Sequence, residues 1–178
     1  MDLAHEYLKV IRERFQSVKE LGDKTLEQLT NEDIHWCLNN TSNNIAIIVK
    51  HLSGNMVSRW TDFLTTDGEK ENRNRDAEFV DDIKSKQQLL TIWDKGWQTL
   101  FTTLNELETE DLLKNVTIRG EKHTVVEAIE RQLAHYAYHV GQIVFVGKLI
   151  KDEKWKTLSI PIGKSEQYLQ QKLDKNHH

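Results

Sequence analysis

The chain has 178 residues, 38% of them hydrophobic and 29% charged, with a net charge of −4 and one cysteine. A single domain over residues 1–178 is expected, with a core large enough to fold without cross-links; one cysteine excludes a disulfide framework and a Cys-rich zinc site. The longest apolar run, Ile45–Val49, is too short to span a bilayer, no signal-peptide pattern is visible, and Lys and Arg are scattered among acids, so the expectation is a cytoplasmic protein with neither nucleic acid nor membrane as partner.

One proline and eight glycines leave little turn punctuation, which favours helices over a sandwich of short strands. The first helix is predicted from about Leu3 to Leu29, on the recurrence of Leu8, Ile11, Phe15, Val18 and Leu21, with Gly22 as a kink or stop. A polar bridge, Thr30 to Asn43, holds His35, Trp36 and Cys37 and ends in residues that cap helices. The second helix is predicted from about Asn44 to Thr65, with Ile45, Val49, Leu52, Met56, Trp60 and Phe63 as its apolar stripe.

The charged loop Thr66 to Phe79 carries Arg73 and Arg75 beside Asp76 and Glu78. It reads first as solvated, and second as the border of a pocket that attracts an anionic substrate. A third helix is predicted from about Asp82 to Leu107, with Leu89, Ile92, Trp93, Leu100 and Leu104 inward. Leu113 to Val126 has two readings. One is a small hairpin around Arg119-Gly120-Glu121. The favoured one is the start of the last helix, because Thr124-Val125-Val126-Glu127 is a capping box. That helix is predicted to run to about Ile150. The tail, with Trp155, Leu158, Ile160 and Ile162, is too apolar to hang free and is expected to dock on the bundle or on a partner subunit.

His135 and His139 stand one helical turn apart on one face, where two neutral imidazoles can share a metal ion. Such a pair alone is more often incidental than ligating. His51 strengthens the case. It lies off the main stripe of the second helix, on a face with Ile47, Ile48, Asn55 and Asp62, where a polar seam would face a pocket. Three neutral His ligands leave the charge of an ion uncompensated, so a bound water would be acidified.

Asn43-Asn44-Ile45-Ala46-Ile47-Ile48-Val49-Lys50-His51-Leu52-Ser53-Gly54-Asn55 resembles the second-helix motif of the DinB-like (YfiT-like) metalloenzyme superfamily. His135-x-x-x-His139-x-x-Gln142-Ile143 resembles its last-helix motif, and the tail Trp155 to Ser165 is similar to one branch, the domain-of-unknown-function family DUF1572. The resemblance implies an all-α, DinB-like four-helix bundle with a docked C-terminal tail, paired as a homodimer. It also implies one divalent transition metal (zinc, nickel, iron or manganese) held by His51, His135 and His139. The superfamily includes bacillithiol S-transferase and mycothiol-dependent maleylpyruvate isomerase. The implied function is therefore that of a metal-dependent enzyme on a small-molecule substrate, either a low-molecular-weight thiol S-transferase or a hydrolase. The alternative is a non-catalytic metal- or small-molecule-binding stress-response protein. No residue is assigned a catalytic role.

Other residues have plainer readings. Asn55, Arg59 and Asp62 follow His51 at helical spacing; they either orient a ligand or form a solvated or interface face, and the second reading is favoured. Tyr136 falls on the apolar stripe as core, and Tyr138 points elsewhere, towards a subunit interface. Cys37 beside His35 lacks an orienting third group and reads as structural. Glu32-x-x-His35 has no second copy, which rejects a di-iron site, and no His-Glu-x-x-His or phosphate-binding glycine loop occurs. His177 and His178, a natural tail or a tag remnant, are set aside as adventitious metal binders.

Overall fold

The computed structural model describes residues 2–176 and places five helices and one β-hairpin in the order α1 (Leu3–Gln28), α2 (Ile45–Trp60), α3 (Lys86–Glu106), β1 (Asn115–Ile118), β2 (Glu121–Thr124), α4 (Val125–Lys151) and α5 (Ser165–Asn176). Each of the first four helices begins at a residue that satisfies its free N–H groups. Asp2 accepts from the His5 amide, Asn44 from Ile47 and Ser85 from Gln88, while Thr124 and Glu127 bond reciprocally.

α1 packs on α4 and α3, and α2 packs on α3 and α4, which closes a ring of four. Phe15, Leu26, Leu52, Met56, Trp93, Trp97, Leu100 and Tyr136 fill its interior. Each such apolar side chain contributes roughly 1.5–3 kcal/mol through burial. No helix among the described residues is long and apolar enough to cross a membrane.

The helices depart from the expected pattern at several points. α1 runs through Gly22 without a break, and a β-carbon there would overlap the Trp93 indole, whose Nε1 donates to Asp23 Oδ1 at 2.7 Å. Gly22, Thr25 and Leu26 therefore carry the buried stripe, and Leu21 is exposed. α2 stops at Trp60, short of Thr65. Asp62 turns into the left-handed region (φ 48°), and its carbonyl accepts the amides of Thr65 and Thr66, each at 3.0 Å. α3 starts at Lys86 rather than Asp82, because Ser85 is its cap, and Trp97 joins its inward face.

Both readings of Leu113 to Val126 hold together. β1 and β2 pair antiparallel, and Thr124 both ends β2 and caps α4. The turn needs left-handed backbone at Arg119 (φ 55°) and Gly120 (φ 78°). Asp67 steadies it by accepting both amides, at 2.9 and 2.8 Å, and the Gly68 amide donates to the Thr117 carbonyl at 2.8 Å. The hairpin is thereby tied to the loop after α2.

The tail docks through Trp155, which lies against Gly147, and through half-buried Leu158. Gln28 brackets the Lys156 backbone, accepting from its amide at 2.8 Å and donating to its carbonyl at 3.1 Å. Docking ends there: Ile160 and Ile162 are exposed, and so are Ser165–Asp174 of α5, a helix the periodicity did not announce. His177 and His178 lie outside the described residues.

The capping box couples the hairpin to the helix that carries two candidate ligands. Thr124→Ala should cost about 1 kcal/mol, read as a lower urea midpoint with an unchanged m-value.

Candidate metal centre

Because α2 and α4 are neighbours in the ring, His51 meets His135 and His139 across one interface. One nitrogen from each imidazole lies within 4.8 Å of the other two. Ring centroids are 5.5 Å apart for His51–His135, 5.1 Å for His51–His139 and 4.7 Å for His135–His139. His51 is buried, and the other two are half-buried. Tetrahedral ligands at about 2.1 Å from zinc sit about 3.4 Å apart, so modest ring movements close this cluster around a divalent ion. Neutral imidazole nitrogens are a fitting donor set for such an ion.

Two of the rings are held by partners that leave Nε2 free. His51 Nδ1 lies 3.0 Å from Glu78 Oε2, and His139 Nδ1 lies 2.8 Å from Gln142 Oε1. A carboxylate or amide oxygen there fixes the Nδ1–H tautomer and the ring's orientation. Gln142 is fixed in turn by donating to the Tyr138 hydroxyl at 3.0 Å. Tyr138, which is exposed, thus supports the His139 side of the cluster.

Glu78 is buried and held by Arg73, whose Nε donates to Oε1 at 2.7 Å and whose Nη2 donates to Oε2 at 2.8 Å. Arg73 Nη1 continues to Glu69, which also accepts from Arg119 Nε at 3.2 Å. Gly54 makes room for this chain, since a β-carbon there would overlap the Glu78 carboxyl. Phe79, the next residue, stacks against His51 with centroids 5.0 Å apart.

The loop after α2 is therefore not solvated throughout. The Arg73 side chain and Glu78 are buried because each satisfies the other's charge, whereas Asp76 is exposed. Arg75 lies over the Phe79 ring, 5.4 Å from its centroid, and lines the cavity described below. Arg73 and Arg75 both border this cavity, and Arg75 is at the same time exposed.

The electrostatics disfavour protonation of His135 and His139. Burial pushes the His135 pKa down to about 3, helped by His139, His51, Arg73 and Arg59. Burial also lowers His139, although Gln142 opposes the shift. Burial alone would raise Glu78, but hydrogen bonds from His51 and Arg73 more than offset it and hold the carboxyl below its ordinary value.

A cavity of about 220 Å³ opens beside the cluster, lined by His51, His135, Asn55, Arg59, Gln132 and four further arginines. This overturns the solvated-face reading for Asn55 and Arg59. Both are buried, and Asn55 Oδ1 accepts from the Tyr136 hydroxyl at 3.0 Å. Tyr136 is core, as expected, and its hydroxyl also accepts from Trp60 Nε1 at 3.0 Å. Asp62 is exposed and does not line this cavity. His35 pairs with Asp81 at 2.7 Å, and the exposed Cys37 thiol points to the His35 carbonyl, so the two form no nucleophile–base pair.

The sequence reading missed Glu78 as a support for His51, and Arg119 and Arg131 as cavity residues. A glycine three positions after His51 in a helix was the one available signal for Glu78, because mid-helix glycine is costly unless something packs against it. The profile of a family described as a protein of unknown function, DUF1572, matches residues 2–164. No curated protein matches the chain.

The lowered His135 pKa has a consequence for metal-free protein. Between its ordinary value of 6.5 and about 3 the unfolded chain binds a proton that the folded chain refuses, so this contribution to stability is present above that window and lost as pH falls through it. Glu78, also depressed, adds a loss of the same sign below its ordinary 4.5. Urea midpoints should fall from about pH 7 to about pH 4, and His135→Gln should flatten the upper part of that fall.

Proposed function

The chain belongs to the DUF1572 family, and from the centre it carries we propose that it is a DinB-like metalloenzyme holding one divalent transition-metal ion on His51, His135 and His139. The supporting observation is the convergence of three imidazoles, two with Nδ1 already engaged, beside a cavity. A closed, four-coordinate protein site would argue for a structural metal; three protein ligands with open space beside them argue for chemistry. A divalent ion there supplies Lewis acidity, lowering the pKa of a thiol or water at its open positions.

The chain's own residues do the remaining work. Glu78 and Gln142 hold the His51 and His139 rings in register. Burial keeps His135 unprotonated and thus able to donate its lone pair at neutral pH. The activity proposed is transfer of a low-molecular-weight thiol to an electrophile, with hydrolysis as the other reaction open to the same centre.

Elemental mass spectrometry on protein lacking His177 and His178 should find about one metal ion per chain and none in His51→Ala. Glu78→Gln should weaken metal affinity by about 10- to 100-fold. Metal-loaded protein should couple a thiol to a chromogenic aryl halide, and lose that activity on chelation. Parent protein without metal, even after reconstitution, would overturn the proposal.

We also propose that two copies pair through the α1–α4 face. A groove there is lined by Val18, Leu21, Val140, Val144 and Phe145, and Phe145 is 61% exposed. The support for pairing is this apolar groove together with the resemblance to a superfamily whose members are commonly homodimers. Light scattering should report a dimer for the parent and a monomer for Phe145→Glu; a monomeric parent would refute the pairing.

A further inference from the structure

We propose that the cavity beside the histidine cluster is a receptor for an oxyanion, a carboxylate or phosphate group of the ligand, anchored on the Arg59 guanidinium. As a statement about substrate this rests on the proposed metal centre. As a statement about anion binding it rests on the arginines alone.

Arg59 is 3% exposed, and its Nε and Nη1 are buried without a partner among the described residues. Glu69 and Asp67 act on it through space without hydrogen-bonding to its buried nitrogens. A buried guanidinium with unpaired donors is among the costlier arrangements in a folded protein, and it keeps its charge at any physiological pH. The fold nevertheless makes space for it: a β-carbon at Gly68 would overlap the guanidinium. An arginine kept charged, dry and unpaired at a cavity wall lacks one partner, and a planar fork of N–H donors is matched by carboxylate or phosphate oxygens.

The rest of the wall has the same sign. Arg59, Arg73, Arg75, Arg119 and Arg131 all line the cavity. The carboxylates around them are Glu78 and Glu69, both engaged by Arg73 and Glu69 also by Arg119, and Asp67, engaged by the Arg119 and Gly120 amides. Five arginines thus stand against three engaged carboxylates on a wall that also carries His51 and His135. Gln132, 2% exposed, also leaves its Oε1 without a partner; with its amide turned, an arrangement of equivalent shape, it adds an N–H donor. At about 220 Å³ the cavity is smaller than the roughly 300–1,000 Å³ of sites for whole drug-sized ligands. It suits the charged end of a substrate, whose reacting atom would then lie beside His51 and His135.

The test uses the full chain stripped of metal, with calorimetric titration of inorganic phosphate and of malonate at constant ionic strength, and neutral malonamide as control. At least one anion should bind saturably, malonamide should not, and the preferred anion tells phosphate from carboxylate. Arg59→Gln should weaken binding by at least about tenfold, and Arg131→Gln, an exposed residue, should weaken it too. The Arg59 Nε–H resonance should shift on titration, which reads the contact without relying on a variant that folds. Binding of neither anion, or anion binding untouched in both variants with the Arg59 resonance still, would overturn the inference. Metal content of Arg59→Gln is measured in parallel. Retained metal with lost anion binding separates the two sites, and anion binding by a chain that never takes metal leaves the oxyanion receptor standing without the metal centre.

Discussion

The buried pair of Glu78 with Arg73 is the constraint around which the candidate centre is built. A carboxylate that is 6% exposed persists as an ion only if paired and fully hydrogen-bonded. Arg73 supplies two donors and His51 a third. Glu78 and Arg73 come from the connection between α2 and α3, and His51 from the middle of α2. The pairing therefore pins a loop onto a helix and orients an imidazole in one step. Removing one partner would leave an uncompensated charge in the interior, which is why the loop, the helix and the ring stand or fall together.

α2 has to serve two neighbours. Its Ile45, Val49, Leu52 and Met56 are all buried in the apolar interior, while His51, Asn55 and Arg59 are buried beside the cavity. His51 and Asn55 have hydrogen-bond partners, whereas Arg59 Nε and Nη1 have none among the described residues. Trp60 Nε1, the Tyr136 hydroxyl and Asn55 form a continuous chain of hydrogen bonds from core to cavity. Phe15 packs against both rings, with centroids 6.2 Å from Trp60 and 6.0 Å from Tyr136. The floor of the site is thus a satisfied polar network on an aromatic layer, an arrangement that holds side chains rigidly.

The hairpin is too short to contribute much core, yet it decides what stands at the cavity mouth. Asp67 holds the turn at Arg119 and Gly120, and the Arg119 side chain then reaches Glu69. Backbone strain at Arg119 in the left-handed region is tolerated because those amides are bound. Local turn geometry is in this way converted into charge at the site.

The existence of the four long helices, the Thr124 capping box and most of each apolar stripe were legible in the sequence, because these depend on residues within one or two turns of each other; the end of α2, the Ser85 cap of α3 and the whole of α5 were not. The same short-range logic put His135 and His139 on one face and set His51 apart from its helix's stripe. Membership of the cavity was not legible. Arg73 and Glu78 look like solvated charges until each is seen to neutralise the other against α2, and Asn55 and Arg59 look like an exposed face until α4 is laid over them. Periodicity records which residues share a face but not what that face meets. Burying a charge depends on a partner brought from a distant part of the chain, so only the tertiary structure decided which polar residues came to line the cavity.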